Sequence, residues 1–183
     1  MNTASLWATT VPVFQRYLGQ LRGWLDLAEA RLDGPALASL LQSRLAPDMH
    51  PLASQIEIAC NFVPRALAPL LGQAQLQYGD FKRDLPGLRA RLQARLALLQ
   101  TLRADELDAR PLPSLVHFDA GQALGQLAPA DYIHQFALPN FFFHLSLAYA
   151  LLRQAGLPLG KADFDGLHRY GPADLSPATT ASA

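Results

Sequence analysis

Helical spacing of apolar residues is the feature that most constrains this chain. Four long stretches repeat leucine, valine, phenylalanine or alanine at intervals of three and four positions, which places an apolar stripe along each of four helices. Asp33, Gly34 and Pro35 end the first helix, and Gly72 and Gly156 end the second and the fourth. With no alternating strands between them, these helices predict an all-α, four-helix bundle. The predicted helices cover residues 6–32, 51–71, 85–102 and 139–154.

Shorter segments connect these helices. Residues 36–45 are expected to form a short helix over the end of the bundle. Asp48 stands between two prolines, and we expect its carboxylate to cap the second long helix. Residues 112–118 have a strand-like pattern, which predicts a small hairpin or an extended crossing before the last helix. Residues 131–136 predict a helical turn that leads into Pro139.

Composition limits the environment and the partners of the chain. Half of the residues are apolar, which is enough to build a core. The 15 basic residues balance the 15 acidic ones, so no overall charge attracts nucleic acid or an anionic membrane. One cysteine forms no internal disulfide, and we see neither a signal-peptide pattern nor an uninterrupted apolar span. We therefore expect a cytoplasmic protein with one domain over residues 1–170 and a disordered tail over residues 171–183.

Several stretches carry a resemblance to a known family. The most specific reads FALPNFFFH at residues 136–144, followed by AYALLR at residues 148–153. Three others are RLAPDM at residues 44–49, QIEIA at residues 55–59 and GLPLGKADF at residues 156–164. Over residues 5–166 the chain resembles a bacterial family known only as a domain of unknown function. That family lies within the DinB/YfiT-like superfamily, whose members are regarded as metalloenzymes.

The resemblance implies a fold and a type of site. It implies a four-helix bundle with up-down-down-up connectivity, often assembled as a homodimer. Many superfamily members bind zinc or nickel through three histidines, one on the second helix and two spaced His-x-x-x-His on the last. Some members are thiol-dependent transferases or isomerases, but the resemblance carries no established activity to this chain.

Only one residue of this chain matches that ligand set. His144 takes the place of the second histidine of the last helix, while Asn140 takes the place of the first and Gln55 lies near the position on the second helix. Carboxamide oxygens are weak ligands for zinc and nickel, which prefer imidazole and thiolate. We therefore expect no intact three-histidine site and no cofactor. The leading interpretation is a polar pocket around His144, Asn140, Gln55 and Tyr149, which either holds a small ligand or satisfies a core histidine.

Two other functions stay open. The chain could be a metal-dependent enzyme of the thiol-transferase type, with zinc or nickel bound by His144, His50 and His134. It could also be an interaction module. The consecutive residues Phe141–Phe143 point about 100° apart on a helix, so at least one faces away from the core. An interface between two copies of the chain would cover it.

The remaining reactive or charged residues have structural interpretations. Cys60 lies mid-helix on the apolar side and is expected to be a buried, inert thiol. Glu57 is expected on a solvated surface, and His168 is expected in solvent beyond the last helix. The basic residues of the third helix are predicted to form a solvated face rather than a nucleic-acid surface. They are Lys82, Arg83, Arg89, Arg91 and Arg95.

Overall fold

A computed structural model of the protein describes residues 5–73 and 78–168 apart from the side chains of Glu106 and Ala120. The predicted tail over residues 171–183 lies outside the described residues, as does part of the predicted loop after Gly72. The helices and strands, in chain order, are α1 (Leu6–Arg31), α2 (Gly34–Gln42), α3 (Leu52–Leu70), α4 (Leu85–Thr101), α5 (Ala104–Asp108), β1 (Val116–Ala120), β2 (Ala123–Leu127), α6 (Pro129–Asp131), a π-helical segment (Tyr132–Ala137), α7 (Leu138–Gln154) and α8 (Lys161–Asp165).

Side-chain caps start three of the helices, and α1 and α4 begin where they were predicted, whereas α2 begins two residues before its predicted start at residue 36. The Ser5 hydroxyl accepts a hydrogen bond from the Ala8 amide at the start of α1, at 3.0 Å. Asp33 and Asp84 cap α2 and α4 in the same way. The prediction that Asp48 caps α3 is wrong, because Asp48 is exposed and Pro51 occupies the cap position without a side-chain hydrogen bond.

A hairpin precedes the last long helix, as predicted. Strands β1 and β2 pair antiparallel from Val116 opposite Leu127 to Ala120 opposite Ala123, and Gly121 turns the chain with φ of +70°. The predicted turn at residues 131–136 is instead a π-helical segment that joins α6 and α7 into one run, Pro129–Gln154.

The core lies where α1, α3, α4 and α7 meet. Phe14 of α1 and Phe141 of α7 are fully buried, with ring centroids 4.8 Å apart in an edge-on arrangement. Cys60 of α3 is also fully buried, as predicted, and burial raises the pKa of its thiol to about 12. By length and composition alone, the run Pro129–Gln154 would suffice to cross a membrane, but a core helix can pass the same test, and α7 packs against α3.

The basic side chains of α4 depart from the prediction. Arg91 and Arg95 are buried, with exposed fractions of 2% and 6%, because α3 and the segment before α4 cover this face. Arg91 donates to Glu57 at 2.9 Å and to Asn61 at 2.8 Å, and its guanidinium lies over the Phe81 ring. The predictions of a solvated arginine face and a solvated Glu57 are therefore wrong at these positions. Residue type alone predicts that a charged side chain is exposed. Here the pairing of Arg91 on α4 with Glu57 on α3 allows both to be buried or nearly so.

Candidate polar site at His144

His144 lies on α7 and faces α3. Its Nδ1 atom is 2.7 Å from Oε1 of Gln55, whose side chain is buried with 2% exposed. The Phe62 ring stacks on the imidazole with centroids 6.1 Å apart, and Phe143 meets it edge-on at 5.1 Å. The imidazole itself is half-buried. Two predicted site residues, His144 and Gln55, are thus in direct contact.

The hydrogen-bond network assigns the tautomer of His144. Nε2 of Gln55 donates to the His50 carbonyl oxygen at 3.2 Å, so the amide group of Gln55 is oriented with Oε1 toward His144. An amide oxygen only accepts hydrogen bonds, and the imidazole Nδ1 must therefore carry the proton. Nε2 of His144 is left with its lone pair, as a hydrogen-bond acceptor.

Burial keeps this imidazole neutral. Desolvation, together with a smaller effect of the charge of nearby His50, lowers the pKa of His144 from its ordinary 6.5 to about 4. At neutral pH the ring is therefore uncharged, which agrees with the tautomer that the Gln55 contact requires. The site offers a neutral nitrogen base held in one orientation.

Asn140 lies one turn before His144 on the same helix but bonds elsewhere. Its Nδ2 donates to the Phe136 carbonyl oxygen at 2.8 Å, at the end of the π-helical segment. Among the described residues, Oδ1 of Asn140 has no hydrogen-bond partner. Residues four positions apart share a helix face, so Asn140 adds a second acceptor beside His144.

Tyr149 is not brought to His144. Five positions along an α-helix correspond to a rotation of about 140°, which turns Tyr149 to another side of α7. Its hydroxyl donates to the Leu159 carbonyl oxygen at 3.3 Å, and its ring packs against Trp24 and Phe164 with centroids 5.4 Å away. Tyr149 therefore holds the chain before and within α8 against the bundle.

The three histidines considered as metal ligands do not meet at one point, although His50 is near enough to His144 for its charge to act on that imidazole. His50 is exposed ahead of α3, and His134 is exposed ten residues before His144, about 15 Å along the helical run. Within residues 5–73 and 78–168, no group of three or more His, Cys, Asp or Glu side chains is placed to hold a metal ion. One imidazole with two carboxamides does not fit the nitrogen and sulfur preference of zinc or nickel.

Two features of this region were not predicted from the sequence: the π-helical segment and the complete burial of the Gln55 side chain. The first has no signal in the apolar spacing, although a π-helix often marks a functional region. The second could have been inferred, since Gln55 lies on the same face as the apolar residues Leu52, Ile56 and Ala59.

Comparison with known proteins identifies the family. The family described as "Domain of unknown function (DUF1993)" matches residues 6–165. The chain belongs to this family. The DUF1993 chain is also similar to the crystal structure of a DinB family member protein from Shewanella denitrificans, at 1.83 Å resolution. The two are 29% identical with a TM-score of 0.74, over 91% of this chain and 94% of that one.

This similarity confirms that DUF1993 here is a DinB-like helical bundle with a hairpin before its last helices. No curated protein matches the chain. The comparisons therefore supply the family and the fold, while any function of the His144 site must be argued from its own chemistry.

Proposed function

We propose that this DUF1993 chain binds a small molecule at the polar site formed by His144, Gln55 and Asn140, and that it does so without a three-histidine metal centre. The observation that carries the proposal is the 2.7 Å contact between His144 and Gln55. Because Gln55 engages Nδ1 of His144, the other ring nitrogen of His144, Nε2, stays available as an acceptor and points away from Gln55. Ligand sites commonly combine a few such fixed polar groups with aromatic walls, here Phe62 and Phe143.

The acceptors of the site define the class of ligand. Nε2 of neutral His144 and Oδ1 of Asn140 both accept hydrogen bonds, so the ligand presents hydroxyl or N–H donors. A carboxylate or phosphate is disfavoured, because it would meet a lone pair rather than a proton. The lowered pKa of His144 supports this choice, since protonation to attract an anion is costly.

The proposal includes assembly as a homodimer in the cytoplasm. Phe143 is 56% exposed, and only 33% of the most apolar 18-residue window of the run Pro129–Gln154 is buried within one chain. An apolar helix left this open is a typical surface for a second copy. Phe143 also contacts His144, so the dimer interface would adjoin the ligand site. The free, buried thiol of Cys60 fits the reducing cytoplasm and supports that setting.

The competing function is a zinc or nickel enzyme of the thiol-transferase type. Elemental analysis after dialysis against either metal separates the two, with His144→Ala beside the unchanged chain. The proposal predicts no stoichiometric metal in either protein. Near-stoichiometric metal that disappears in His144→Ala would overturn it.

A ligand screen by NMR then tests the binding itself, with the backbone amide signals of Gln55 and Phe143, which contact His144 and are present in both proteins, as the readout. We expect hydroxyl and N–H donors to shift these signals saturably and His144→Ala to lose the response. A screen in which simple acids shift them, and donors do not, would contradict the proposed ligand class.

A further inference from the structure

A separate cavity lies at the start of α1. It has a volume of about 540 Å³, which falls within the range of small-molecule sites. Its walls come from the first turn of α1, the end of α5, the connection before β1 and the start of the run Pro129–Gln154. The lining is largely apolar, from Leu6, Leu107, Leu112, Pro113 and the alanines of residues 128–130.

Three polar residues also line this cavity, Ser5, Asp108 and His134. The Asp108 carboxylate is held in place, because it accepts hydrogen bonds from the Trp7 amide at 3.1 Å and from the Ser5 hydroxyl. A carboxylate has about four acceptor positions, so positions remain for a ligand. His134 is exposed within the π-helical segment, and its side chain has no hydrogen-bond partner among the described residues.

Among the described residues, the lining contains a carboxylate but no lysine or arginine. Asp108 forms no ion pair with a described lysine or arginine, and neither residue type occurs among the described residues that line the cavity. Within residues 5–73 and 78–168, the carboxylate therefore faces an apolar cavity with no side-chain cation to compensate its charge. Near apolar walls, such a charge attracts a cation more strongly than it would in bulk water.

We propose that this cavity binds a small organic amine, with the ammonium group on Asp108, the apolar body against Leu6, Leu107 and Leu112, and His134 at the edge. The same features disfavour an organic acid of equal size. The proposal is independent of the His144 site, because His134 lies about 15 Å from His144 along the helical run.

Three probes of one shape test this inference in the full chain: benzylamine, benzyl alcohol and benzoate. Binding is followed by NMR through the backbone amides of Trp7 and Ala130. We expect saturable shifts with benzylamine, weaker binding of benzyl alcohol and none of benzoate. Benzoate or benzyl alcohol binding as tightly as benzylamine would overturn the proposal, as would the absence of saturable binding by any probe.

Variants locate the binding. Asp108→Asn removes the charge and is expected to weaken benzylamine binding by about two- to five-fold, as the loss of a partly exposed ion pair would. Asp105→Asn is the matched control, because Asp105 is an exposed acid on the same helix that pairs with Arg103 and does not line the cavity.

Ala130→Phe fills the cavity and is expected to abolish binding. Equal effects of Asp108→Asn and Asp105→Asn would contradict the assignment. If Asp108→Asn loosens the start of α1, Ala130→Phe and the three probes on the unchanged chain still decide the outcome.

Discussion

The buried ion pair between Glu57 and Arg91 gives the sharpest prediction about stability. The Arg91 side chain is 3% exposed and Glu57 is 15% exposed, and their atoms approach to 2.9 Å. Glu57→Ala leaves a guanidinium in the interior without its carboxylate, and breaking a buried pair typically costs 3–5 kcal/mol. Arg91 keeps its bonds to Asn61 and to the Phe81 carbonyl oxygen, so we expect a loss of about 3 kcal/mol.

A matched control is provided by Asp26. Its pair with Arg89 is 2.5 Å long, but both side chains are more exposed, at 55% and 31%, and Arg89 also bonds Glu29. Asp26→Ala should therefore cost no more than about 1 kcal/mol. The assay is urea unfolding at neutral pH, supported by thermal melts, in which Glu57→Ala should lower the melting temperature by about 6–12 °C.

The double variant Glu57→Ala, Arg91→Met separates the charge from the packing. Removing both partners leaves no unpaired charge, so we expect much of the lost stability to return. Equal losses of stability in Glu57→Ala and Asp26→Ala would contradict a role for burial. A double variant less stable than Glu57→Ala by the full cost of Arg91→Met alone would also contradict it.

Three further predictions follow from the described contacts. Since the pKa of His144 is about 4 in the folded chain and 6.5 unfolded, the unfolded form binds the extra proton as pH falls through this window. Between pH 7 and pH 4.5, the free energy of unfolding measured with urea should fall by about 2 kcal/mol more in the unchanged chain than in His144→Gln. An equal fall in both proteins would contradict this. Buried Cys60 should resist a thiol-specific reagent until urea unfolds the chain, and rapid labelling of the folded chain would disprove its inertness. Phe143→Ser should turn the proposed dimer into a monomer in sedimentation. An unchanged chain that sediments as a monomer would contradict the proposed dimer interface.

The fold was largely predictable because its signal is local and repeated. Apolar residues at three- and four-residue spacing located α1, α3, α4 and α7 to within a residue or two, and strand-like residues before α7 indicated the hairpin. The short helices α5 and α8 were missed, because five residues contain too little periodicity to detect. The π-helical segment was read as a turn for the same reason.

The environment of charged residues was less predictable. Arg91 and Glu57 look like surface residues one at a time, and their burial depends on a partner 34 positions away. The pairing of Gln55 with His144 spans 89 positions, and only the family resemblance placed the two residues near each other. His134 was weighed as a ligand of the same site, but helix length keeps it apart from His144.

His144 is a neutral base oriented by Gln55, and the state of its ring nitrogens can be observed directly. Long-range proton–nitrogen NMR spectra of the ¹⁵N-histidine-labelled chain would identify the protonated nitrogen and follow its titration, with Gln55→Leu as the comparison. We expect a proton on Nδ1, a pKa of about 4, and loss of the single tautomer in Gln55→Leu. A proton on Nε2, or a His144 that titrates near 6.5 in the folded chain, would contradict it.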